Sequence, residues 1–281
     1  MASFVILHVV GTKFLETLEK KYNINLTEEE KNKFLMGNLI VDSVKTTIDI
    51  PNDSNEEVKK NFRRKAKEIV QEEKRLTHFR DERDYELVVQ VPKVDDFKEK
   101  YITIFNDITT IAYLFHLYTD KMFFEYLFDE SFEFLDKDNN QTKYIKDISL
   151  VRVKKNNQFH NLNDFFDHKY EFSIYKDYTT MNKVLLKYYN IKFDYETLLK
   201  ESSNFINPGI EEVDYSKIIN VINNTKKFIE ESYMNEDSNL NIFDLEKIYT
   251  FPDTLINEFI NKYGYYLNIT NNQRITKIKQ K

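Results

Sequence analysis

Only four glycines and four prolines interrupt 281 residues, and this scarcity constrains the fold more than any other feature. Left-handed turns, Gly-rich phosphate loops and proline-stiffened linkers all draw on these two residues. The chain is therefore expected to build long helices joined by polar loops. Apolar residues make up 41% of it and aromatic residues 15%, enough to fill a substantial core and too much for a disordered chain. The expectation is an all-α, multi-helix bundle forming one domain over residues 1–281.

Hydrophobic spacing locates the helices. Leu7, Phe14, Leu15, Leu18 and Tyr22 recur at three, four and seven residues, a helical stripe with His8 beside its leading edge. Thr27 and Glu30 have capping-box spacing. The helix they open runs through Phe34 and Leu35 to Gly37, a residue suited to a left-handed stop, and GNLIVD then carries Asp42 out of it. Ser54 with Glu57 repeats the capping signal before NEEVKKNFRRKAKEIVQEEKRL, whose sparse apolar positions predict an exposed helix leading to His78. Asp107 caps the most apolar helix, in which Ile108, Ile111, Ala112, Phe115, Thr119, Met122 and Phe123 keep helical spacing around His116.

Residues 136–176 read as a polar loop region containing DKDNNQTK and KKNNQ, with YIKDISLVRV either a strand pair or irregular. Helical patterning returns over 177–281, where no histidine occurs, and these helices read as support for the core. The terminal NQRITKIKQK is expected to fray.

Charge and composition remove several functions. The net charge of −6, from 41 basic and 47 acidic side chains mixed along the chain, supplies no basic field for a nucleic-acid scaffold. Without cysteine there are no disulfides and no thiolate sites, so any metal must be held by nitrogen and oxygen. MASFVILHVV lacks the positive leader, apolar length and cleavage site of a secretory signal, which makes a cytoplasmic home the expectation. The longest apolar run, ITTIAYLFHLYTDKMFFEYLF, is broken by His116, Asp120, Lys121 and Glu125 and reads as a buried helix, not a membrane span.

The sharpest chemical signal is FHLYTDK. His116 and Asp120 lie four apart on one helical face, with Cβ atoms roughly 5–6 Å apart, a gap one metal can bridge. Ala112, one turn earlier, leaves room for a ligand from another segment. At this spacing a hydrogen-bonded pair that merely stabilises the helix is the competing reading. His8 reads alone as a core histidine, His78 as a loop residue and Asp42 as a turn former. His160 and His168 do not share a helical face and read as polar-loop residues. Arg80 and Lys121 flank the candidate ligands, where they could neutralise a phosphate oxygen or pair with carboxylates such as Asp81.

In that order, His8, Asp42 in GNLIVD, His78 in THF, and His116 with Asp120 in YLFHLYTDKMFF resemble the zinc-dependent phospholipase C family, whose helical fold is shared with single-strand-specific nucleases. The resemblance covers about residues 1–135, the metal-site half. It implies that Asp42, His78, His116 and Asp120 hold one zinc, and that Asp120 is shared with a second zinc bound by His8. Catalysis would rest on Asp42, His116 and Asp120, with metal-activated water hydrolysing a phosphodiester or phosphomonoester such as a phospholipid head group or nucleotide. The family's third zinc uses two further histidines and a glutamate after the central helix, where this chain offers Glu125, Asp129 and Glu130 without a histidine.

Two other readings compete. An HD-type phosphohydrolase is also helical and uses His and Asp ligands, although the first adjacent pair here is Asp167-His168. A metal-stabilised helical protein without catalysis, acting as a binding module, is the other. Nitrogen and oxygen ligands also suit iron, manganese or nickel.

Overall fold

The computed structural model describes residues 2–43, 45, 56–82, 86–170, 172–234 and 239–269. It is mostly helical. The first half contains α1 (Phe4–Tyr22), α2 (Glu28–Ile40), α3 (Glu56–Thr77), α4 (Val94–Lys100) and α5 (Ile108–Met122). A π-helical turn (Phe123–Phe128) and the short α6 (Asp129–Ser131) extend α5. Then come β1 (Phe132–Leu135), β2 (Leu150–Val153), β3 (Gln158–Asn161) and α7 (Leu162–Phe165). The chain closes with α8 (Ile174–Tyr189), α9 (Tyr195–Glu201), α10 (Ile218–Met234) and α11 (Leu245–Tyr263).

Local chemistry explains several boundaries. Ser3 caps α1 by accepting from Ile6 N, and Asn23 ends it in the left-handed region. Thr27 and Glu30 form the complete capping box that their spacing predicts, and Asp107 accepts from Thr109 N at 2.7 Å at the start of α5. Ser54, the other sequence-predicted cap, and the NQRITKIKQK tail lie outside the described residues.

The central helix α5 is buried along almost its whole length. Helices α2, α4 and α11 pack against it, and α1 reaches it through Phe14, whose ring stacks on Phe115 at 4.7 Å. Phe34 and Phe259 complete this aromatic cluster. Gly37 does not stop α2, which continues to Ile40. A Cβ there would lie 2.9 Å from the Ala112 Cβ and 3.0 Å from Thr109 Cγ2, so glycine lets α2 approach α5 closely.

The region expected to be polar loop contains β2 and β3, which join β1 in a three-stranded antiparallel sheet in the order β1-β2-β3. Val151 pairs with Phe134 on one side and His160 on the other. His160 is buried among Phe165, Tyr170 and Phe172 and is not a loop residue. Polar flanks concealed a strand whose contribution to the core is a single side chain. No helix among the described residues is long and apolar enough to cross a membrane.

Candidate metal centre

Two helix ends and one helix middle bring the ligand candidates together. Asp42 follows the end of α2, His78 follows α3, and His116 and Asp120 project from α5. The end of α3 is a Schellman cap: Arg80 N donates to Arg75 O and Phe79 N to Leu76 O. Its left-handed position is held by Phe79, at φ 55°, where glycine is usual. A bulky residue there costs about 1–2 kcal/mol, offset by packing against Phe97 and Tyr101. This reversal carries both His78 and Arg80 inward, and both are buried.

Second contacts of the two histidines fix their chemistry. His116 Nδ1 lies 2.6 Å from the Asn38 carbonyl, and His78 Nδ1 lies 2.9 Å from the Lys74 carbonyl. A carbonyl only accepts, so each Nδ1 donates, and this turns each Nε2 towards the other ring. Those two Nε2 atoms face each other at 3.2 Å inside the protein. His78 Nε2 is also 3.4 Å from Asp120 Oδ2 and 3.9 Å from Asp42 Oδ1. Donors around a tetrahedral zinc, with bonds of about 2.0–2.2 Å, stand about 3.3–3.6 Å apart.

A shared proton is disfavoured because burial, reinforced by Arg80, pushes the His78 imidazole down to about 4. Asp120 is fully buried, and its Oδ2 accepts no hydrogen bond. Its Oδ1 accepts from Ala2 N at 2.6 Å. Burial alone would raise both carboxyls. Nearby positive charge and His78 outweigh it for Asp120, and Lys74 with the two imidazoles does so for Asp42, holding both below the usual carboxylate range. Asp42, His78 and His116 thus form a buried cluster that could bind a metal ion, their donor atoms all within 4.8 Å of one another. Asp120 adjoins it through its orphaned oxygen.

His8 is not brought to this cluster. Its Nε2 is 3.1 Å from Lys192 O, its ring stands edge-on to Phe193 at 4.9 Å, and burial lowers it to about 4. The residue that reaches Asp120 from this end of the chain is Ala2, which precedes the Ser3 cap of α1. The structure holds His8 against the connection between α8 and α9, outside the group of clustered donors. The acidic residues after α5 are also elsewhere. Glu125 pairs with Lys121 at 3.7 Å and Glu130 with Lys247 at 3.0 Å, while the Asp129 carboxylate is 3.9 Å from Lys143. Lys121 accordingly lies outside the cluster. His168 stacks on Tyr175 at 3.8 Å.

One site residue was not singled out by sequence reasoning. Lys74 Nζ lies 2.8 Å from Asp42 Oδ1. The signal was available: Lys74 is four residues before His78 on the same helix, so a ligand at 78 places 74 one turn behind it. Scans of protein-family models, curated proteins and solved structures return no match to this chain.

Proposed function

We propose that this chain is a zinc-dependent phosphoesterase in a helical fold of the phospholipase C and nuclease type. The observation that carries the reading is the pair of buried imidazoles whose Nε2 atoms meet at 3.2 Å, with Asp42 and Asp120 beside them. In this reading His78, His116, Asp42 and Asp120 hold one divalent ion, zinc by donor type and spacing. When bound, the ion supplies Lewis acidity and acidifies water near neutral pH. The chain's own groups do the rest. Asn38 O and Lys74 O orient the imidazoles, and the burial of α5 around them limits water.

The adjacent pair Asp167-His168 does not favour the HD-type alternative. Asp167 accepts from Lys169 N and His168 stacks on Tyr175, so neither joins the cluster. The test uses zinc-loaded protein on phosphomonoester and phosphodiester substrates, with Asp120→Asn compared at matched folding. Hydrolysis by the parent and at least a hundredfold loss in the variant are expected, in line with removing one electrostatic group from a catalytic site. A binding module whose metal is only structural would show loss of stability in the variant and no rate in either protein.

A further inference from the structure

Resting on the phosphoesterase reading, we propose that Lys74 and Arg80 form an anion clamp that selects a dianionic phosphomonoester over a monoanionic diester. Each cation touches one carboxylate of the cluster. Lys74 Nζ is 2.8 Å from Asp42 Oδ1, and Arg80 Nη2 is 3.8 Å from Asp120 Oδ2. They approach from the two ends of one turn: Lys74 lies in the last turn of α3, and Arg80 just past the left-handed residue Phe79. Arg75 Nη1 donates to Arg80 O at 2.9 Å and holds that turn closed.

Charge then distinguishes the substrates. Among the described residues, the charged side chains facing the cluster are Asp42 and Asp120 against Lys74 and Arg80. A divalent ion balances the two carboxylates and leaves two positive charges in a mostly buried setting. A phosphomonoester, whose second ionisation falls near pH 6, brings about two negative charges at neutral pH, and a diester brings one. In a poorly solvated site an unmatched charge is costly, so the dianion is the better complement. Geometry agrees. Lys74 is the more exposed cation, its side chain 24% accessible, and can meet an entering anion as a point charge. The Arg80 guanidinium is buried beside Asp120, deeper in.

The probes are inorganic phosphate, dianionic near pH 8, and dimethyl phosphate, which keeps a single charge. Calorimetry on the zinc-loaded full chain measures their binding, and metal analysis and circular dichroism accompany each variant. Phosphate is expected to bind at least about tenfold more tightly than dimethyl phosphate. Lys74→Met and Arg80→Met should each weaken phosphate by about tenfold, the scale of one charge-assisted hydrogen bond, with zinc content kept and dimethyl phosphate less affected. Arg80→Lys keeps the charge without the guanidinium and should recover part of the loss, which serves if Arg80→Met fails to fold. Equal binding of the two probes, or phosphate binding unchanged in Lys74→Met, would overturn the clamp. Zinc bound at one equivalent with phosphate ignored overturns the clamp alone. A parent chain that takes up no zinc overturns the phosphoesterase reading, and the clamp with it.

Discussion

Zinc should stabilise this fold, and the size of the effect follows from the donor set. Because the unfolded chain does not hold His78, His116, Asp42 and Asp120 together, bound metal adds RT ln(1 + [Zn]/Kd) to stability, about 4 kcal/mol at a thousandfold excess over Kd. For chains of roughly 150–250 residues, 1 kcal/mol moves the melting temperature by about 2–4 °C. At 281 residues the lower end applies, and a rise of about 8 °C is expected. Differential scanning fluorimetry would compare each protein stripped of metal with the same protein reloaded, so that damage to the fold cancels within the pair. His116→Ala removes one of the two facing nitrogens and should abolish most of the rise. His8→Gln should keep it, because His8 is bonded to Lys192 O and not to the cluster. A full rise in His116→Ala, or its loss in His8→Gln, would refute the geometric argument.

Gly37→Ala should destabilise the fold by about 1–3 kcal/mol in urea unfolding, because the added Cβ meets Ala112 at 2.9 Å on a helix that cannot flex away. It should also reduce the zinc response, since α2 and α5 carry Asp42 and His116. Acid should unfold the metal-free protein in a defined window. His8 is lowered from 6.5 to about 4 by burial, so the folded state binds fewer protons than the unfolded chain. Its contribution is whole above pH 6.5 and is lost as pH falls towards 4. A shift of this size corresponds to about 3 kcal/mol, and His8→Gln should flatten that part of a stability profile measured by denaturant titration.

How far the molecule could be read from its sequence depended on whether a signal was local. Thr27 with Glu30 and Asp107 before α5 are complete within four residues, and each forms the cap its chemistry demands. His116 and Asp120 share a face by helical geometry alone. Asp42 and His78 could be placed only by analogy, since their meeting depends on how α2 and α3 end. Gly37 was misread because sequence offers two meanings for a glycine, a left-handed stop or a close approach, and only the neighbouring helix decides between them. The stripe beside His8 sets the buried face of α1, and His8 is buried there against Lys192 and Phe193. YIKDISLVRV left a strand pair open and holds β2, whereas β3 gave no signal because it is four residues long and its burial rests on His160.

Anomalous scattering from crystals of the zinc-loaded protein, collected on both sides of the zinc edge, addresses the central claim most directly. The account predicts one strong peak between His78 Nε2 and His116 Nε2, in reach of Asp42 and Asp120, and none at His8. A peak at His8 or His160, or no ordered zinc between the two facing imidazoles, would contradict it.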